Sequence, residues 1–125
     1  MKKIEIDKPD EYLKLIEENK DKYLYHDHPS DGLDVFHDSV LEDYGYNAVV
    51  FDNITYRDIA AFIEDNCDGE FYYNDHPMGF NGFAVSSNIE KTREQVKAFI
   101  IEKIKQNDLS DIDEDQRETL EFFGL

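Results

Sequence analysis

Cationic residues are scarce in this sequence. Thirteen Lys and Arg stand against thirty Asp and Glu, a net charge of −17. Phosphate backbones and anionic membrane surfaces both require cationic side chains, so direct binding to nucleic acid or membrane is not expected. Tryptophan is absent and cysteine occurs once, at Cys67. A single thiol cannot close an internal disulfide and suits a reducing, cytoplasmic setting. Long apolar runs are missing as well: stretches such as Ala48–Phe51 and Ala98–Ile101 fall far short of the roughly 20 residues a membrane helix needs. No apolar segment follows the lysines of MKKIEIDKPDEY, so no secretory signal is expected. The six glycines form neither a GxGxxG nor a P-loop pattern.

What is present is enough to fold. The chain has 125 residues, 40% hydrophobic and 14% aromatic, which predicts one globular domain over residues 1–125 rather than disorder. The charge is unevenly spread. Residues 1–25 carry seven acids and six lysines, whereas residues 26–75 carry thirteen acids and one base, Arg57. Seven more acids lie between Asp108 and Glu121, opposed only by Arg117. The simplest account is a solvated surface, although like-charge crowding on this scale works against a compact state.

The pattern predicts an α+β fold, a small and largely antiparallel sheet packed with four to five helices. Lys2–Ile6 and Tyr23–Tyr25 read as short strands. Pro9 suits the first turn of a helix whose Tyr12, Leu13 and Ile16 share a face, running to about Lys20. A second helix is expected from Asp34, with Phe36, Val40 and Tyr44 on one face and Gly45 as its end. Tyr46–Phe51 then reads as a buried strand. Thr55 and Asp58 resemble a helix-start cap for a helix burying Ile59, Phe62 and Ile63. CDGEFYYN and FNGFAVSS read as a hairpin with its loop around His76–Asn81. Ser87 and Glu90 suggest a capping box before a helix reaching about Gln106, with Ile89, Val96, Phe99, Ile100 and Ile104 inward. An acidic terminal helix is expected at about 111–123, pinned by Leu120, Phe122 and Phe123.

Two segments, YHDHP at Tyr25–Pro29 and YNDHP at Tyr73–Pro77, repeat Tyr, Asp, His and Pro at an offset of 48. With His37 they contain ligand types suited to zinc or iron, making His26, His28, His37 and His76 an alternative metal set. The local physics favours two similar turns at the sheet boundary, since proline pushes the preceding residue to extended backbone and Asp tolerates turns. DIDEDQRETLEF places Asp111, Asp113 and Asp115 like a calcium loop. Gln116 replaces the required glycine and Phe122 the bidentate glutamate, so a helix start is expected instead. Cys67 sits among acids that oppose thiolate formation. No serine occupies a GxSxG elbow. No enzyme and no cofactor are expected.

The expected function is binding. Carboxylates along residues 31–75 can stand in for phosphates and occupy the basic cleft of a nuclease or another nucleic-acid-binding enzyme. Small size, strong acidity, one cysteine and no catalytic motif are similar in general character to phage anti-restriction and anti-CRISPR inhibitors, which implies a DNA-mimic mode of action. The candidate contacts are Asp31, Asp34, Asp38, Glu42, Asp43, Asp58, Glu64, Asp65 and Asp68, with Tyr44 and Tyr56 as aromatic anchors. Asp34, Asp38 and Glu42 would form one helical row, Asp58 and Asp65 another. Tyr46, Tyr72 and Tyr73 also lie in or beside the acidic middle. An immunity or antitoxin protein that neutralises a basic toxin shares this physics with a different target. A histidine-based metal enzyme or sensor, and an adaptor acidic only for solubility, are the remaining readings.

Overall fold

A computed structural model describes residues 1–26, 39–76 and 79–125, with the side chains of residues 26, 75, 76 and 79–81 excepted. The chain orders as β1 (Lys2–Glu5), α1 (Pro9–Glu18), β2 (Tyr23–His26), α2 (Val40–Ala48), α3 (Tyr56–Asn66), β3 (Glu70–His76), β4 (Gly79–Val85), α4 (Ile89–Ile104) and α5 (Glu114–Phe122). These four strands and five helices make the expected α+β architecture. The sheet order is β1-β3-β4-β2. β1 runs parallel to β3, while β3–β4 and β4–β2 are antiparallel. β1 and β2 are therefore parallel strands at opposite edges, and α1 connects them across one face of the sheet.

Alternation along the central strand β4 divides the core in two. Phe83 and Val85 point to one side, where they meet Tyr12 and Ile16 of α1 together with Tyr23. Phe83 is fully buried, with ring centroids of Tyr12 at 5.4 Å and Tyr23 at 5.7 Å, both edge-on. Ala84 points to the other side, into a larger core with Val40, Ala48, Ile59, Ile63, Val96, Ile100 and Ile104 from α2, α3 and α4. Gly82 lies on this side too: a Cβ there would come within 2.5 Å of the Phe71 ring. Phe71 in turn stacks on Tyr25 and Tyr73. In β2 the register slips between Tyr23, paired with Val85, and Tyr25, paired with Ala84. This bulge lets Leu24 and Tyr25 both face the larger core while Tyr23 faces α1.

The helix starts follow capping chemistry. Pro9 opens α1, as expected. Thr55 and Asp58 form a reciprocal capping box at α3, and Asp113 and Gln116 form another at α5. Gln116, the residue incompatible with a calcium loop, is thus half of a cap. The terminal helix begins three residues later than the expected 111, because Asp113 supplies the cap. It ends in a Schellman motif: Gly124 at φ +75° donates to Glu121 O, and Leu125 donates to Leu120 O.

Several expectations are corrected. Tyr46–Phe51 is not a strand, since α2 continues through Ala48 and residues 49–53 turn toward α3. Gly45 does not end α2. It lies inside, where a Cβ would meet Tyr56 Cε1 at 2.7 Å, so the glycine permits close approach of α2 and α3. Ser39 is the N-cap of α2, with extended backbone and its Oγ accepting from Glu42 N, so no continuous helix carries Asp34, Asp38 and Glu42 in one row. The α4 cap is Asn88, accepting from Lys91 N, rather than Ser87. Leu13 is 56% exposed, so the inward face of α1 is Tyr12 and Ile16, with Leu15 packed partly buried beside them. His76 belongs to β3 and residues 79–81 to β4 rather than to the hairpin loop, as the ladder extends to His76 and Gly79.

Two outcomes test this packing. Gly69 adopts φ +154°, and a Cβ would stand 2.2 Å from the Val85 carbonyl oxygen. Gly69→Ala is therefore expected to lower unfolding free energy by roughly 2–4 kcal/mol in urea titrations followed by circular dichroism. Tyr23 is buried and its hydroxyl donates to the Ile16 carbonyl. Burial first, then the nearby Glu17, push its pKa from 10.0 to about 12. Burial likewise raises Tyr12. The unfolded chain thus loses these protons first, so stability holds below pH 10 and falls as pH rises through about 12. An alkaline midpoint in that window, moved upward by Tyr23→Phe, is the expected result.

Candidate partner-binding surface

The fold gathers acidic segments without segregating the cations. The lysines of residues 1–25 lie on and around β1 and α1 among seven acids, and Lys3 pairs with Glu64 of α3. α2 packs against the acid-rich α3 and α5, and also against α4, which carries Lys91, Arg93, Lys97 and Lys103. Thr119 Oγ1 donates to Asn47 O at 2.6 Å, and the Tyr44 ring lies 6.2 Å from Phe122 and 6.1 Å from Phe123. Residues 39–76 contain nine acids and one base, Arg57. Two acidic segments far apart in sequence are thereby joined through α2.

Within these segments the candidate carboxylates divide by what holds them. Asp43 pairs with Arg93 of α4 at 3.0 Å, and the same guanidinium lies 5.9 Å from the Tyr44 ring. Asp58 accepts from Thr55 N at 3.2 Å to complete the α3 cap. Glu64 pairs with Lys3 and accepts from the Tyr25 hydroxyl at 3.3 Å. These three tie the fold together, a role the sequence spacing does not reveal. Asp68 is exposed and lies 3.4 Å from Lys91 across the turn into β3. Asp65 is exposed near the end of α3, separated from Asp58 by seven residues or about 10 Å of helix. Asp31, Asp34 and Asp38 lie outside the described residues.

The aromatic anchors also divide. Tyr44 is packed among α4 and α5 rather than offered to solvent. Tyr56 is 43% exposed, and Tyr46 reaches 73%, the greatest exposure of any large hydrophobic side chain described. Tyr46 was hidden in sequence by the strand reading. Its helical relation to Glu42, four residues earlier, is the signal that finds it. Burial first, then Glu42 and Tyr46, raise the Tyr56 pKa, which places all three in one neighbourhood.

The alternative chemistries gain little from the geometry. Cys67 is buried, and burial followed by Asp68 pushes its thiol up, away from the reactive thiolate. Among the described residues no three His, Cys, Asp or Glu side chains gather as a metal-holding group. His28 and His37 lie outside those residues. His26 pairs with Phe83 and His76 with Gly79, on opposite sides of β4. Their backbones are thus about 13 Å apart along the strand and about 10 Å across it, more than two imidazoles on one ion span. Asp75 and His76 end β3, whereas Pro77 and the whole of Asp27–Pro29 lie outside the described residues. No described helix is long and apolar enough to cross a membrane.

Removing a structural carboxylate and removing an exposed one should differ in denaturation. Asp58→Ala is expected to cost about 1 kcal/mol by opening the capping box, whereas Asp65→Asn, which removes a charge the helix dipole disfavours, is expected to cost nothing and to add at most about 1 kcal/mol. The chain matches no protein-family model, and neither a curated protein nor a solved structure shows significant similarity to it.

Proposed function

We propose that this protein is a small acidic binding protein that presents carboxylates to the basic surface of a nucleic-acid-handling enzyme, in the manner of a DNA mimic. One observation supports the reading: α2 joins the acid-rich α3 and α5, so that acids distant in sequence adjoin in one helical layer. Such a concentration of negative charge draws a basic partner and orients it during approach. The exposed rings of Tyr46 and Tyr56 add apolar contact area among these acids, and interface anchors are commonly tyrosine. Binding energy then comes from few contacts, with the surrounding carboxylates setting rate and orientation.

The partner on this reading is a nuclease or related enzyme whose own substrate is anionic. Immobilised protein exposed to bacterial lysate at about 50 mM salt is expected to retain such an enzyme, to release it to added duplex DNA, and to lose it at several hundred millimolar salt. Charge reversal by Glu42→Lys with Asp65→Lys should abolish retention. A neutral partner that withstands high salt, or no retained DNA-handling enzyme, overturns the proposal.

A further inference from the structure

One spot in the acidic segments is built from more than carboxylates. Glu42, Gly45 and Tyr46 form an i, i+3, i+4 stripe along α2, so their side-chain positions lie on one face. The Tyr56 ring rests on this stripe at Gly45, close enough that a Cβ would fall 2.7 Å from Cε1 and 2.9 Å from Cδ1. Gly45 thus brings a second ring beside the Tyr46 side of α2, next to a carboxylate. Both rings remain substantially exposed, at 73% and 43%. Burying Tyr46 in the core would have been the ordinary use of a tyrosine on a nine-residue helix, and α2 instead buries Val40, Gly45 and Ala48.

The same helix already holds a cation in this way. Arg93 sits 3.0 Å from the Asp43 carboxylate and 5.9 Å from the Tyr44 ring, an acid and an aromatic face sharing one guanidinium. Glu42 with Tyr46 and Tyr56 repeats those ingredients on the solvent side of α2, with two rings in place of one. We infer that Glu42, Tyr46 and Tyr56 form a recognition site for a single arginine side chain on the basic partner. Arginine fits better than lysine because its planar guanidinium stacks on an aromatic face while donating to a carboxylate, whereas an ammonium is a compact and strongly hydrated charge. The occupant follows from charge complementarity, since residues 39–76 hold nine acids and one base. This site rests on the basic-partner reading and makes it specific: the acidic segments attract, and the two rings select.

Acetylated, amidated tetra-arginine and tetra-lysine are the probes, titrated into the ¹⁵N-labelled protein at low salt and followed by two-dimensional NMR. The expected result is arginine-selective shift changes centred on residues 42, 46 and 56, with affinity for tetra-arginine weakened about fivefold by Tyr46→Leu and left near the parent value by Tyr46→Phe. Tyr46 is mostly exposed, so Tyr46→Leu leaves the fold intact. Glu42→Gln is expected to weaken both peptides. Equal binding of the two peptides, or arginine binding unaffected by Tyr46→Leu, overturns the arginine site while leaving a basic partner in place. Absence of binding by either peptide at low salt overturns both readings.

Discussion

The alternation of small and large side chains along β4 is the constraint on which the rest of the structure depends. Phe83 and Val85 supply bulk to the α1 side, whereas Gly82 and Ala84 supply almost none to the other. The vacated volume above Gly82 is taken by the Phe71 ring, which brings Tyr25 and Tyr73 into one stack. The helices α2, α3 and α4 then close over that layer with Val40, Ile59, Ile63, Val96 and Ile100, all buried. A side chain at residue 82 would lift Phe71 and, through it, the helical layer. Close packing leaves no slack to absorb such a displacement. The bulge at Leu24 serves the same end, turning two consecutive residues of β2 toward the larger core.

Much of this was legible in sequence, and the failures have common causes. The start of α3 was readable because a capping box is local: Thr55 and Asp58 need only each other and their own backbone. The long α4 was readable from its apolar period. The bulge at Leu24 was not, since it depends on a register set by β4, sixty residues away. Tyr46–Phe51 deceived because a short β-branched and aromatic run is ambiguous between a strand and the end of a buried helix. Gly45 deceived for a related reason. A glycine near a helix end suggests a stop, but here the backbone needs the missing Cβ to admit Tyr56. Both errors concealed Tyr46 as an exposed helical residue, so of the exposed pair only Tyr56 was read in sequence as an anchor, while Tyr44, also read as one, is packed against α5. The acidic part of the surface was legible as composition, but not which carboxylates the fold itself consumes.

That distinction bears on why a net charge of −17 is tolerated. Many of the acids occupy positions where they stabilise. Glu42, Asp43, Asp58, Glu114 and Asp115 lie in the first turns of helices, aligned with the helix dipole. Asp43 and Glu64 have cationic partners from other elements, Arg93 and Lys3. Such uses offset part of the repulsion without any partner protein.

The end of α3 follows a different logic. Its last turn contains no basic residue, and Glu64 and Asp65 stand where the helix dipole disfavours negative charge. Asp68 follows directly and faces water almost completely. Each carboxylate at a helix C-terminus opposes folding by about 0.3–1 kcal/mol. Solubility does not require that placement, because the same charges would serve it equally at mid-helix or on α1. Lys3 pairs with Glu64 and is close enough to Asp65 to feel its charge, the N-terminal ammonium donates to Glu64 O, and Lys91 approaches Asp68, so the fold itself brings three cations to this end. A cationic partner reverses the sign of that local term: once a basic surface covers the end of α3, the carboxylates that oppose folding become favourable contacts. On the proposed function, Asp65 and Asp68 would serve as contacts, a role open to them because, unlike Asp58, neither caps the helix.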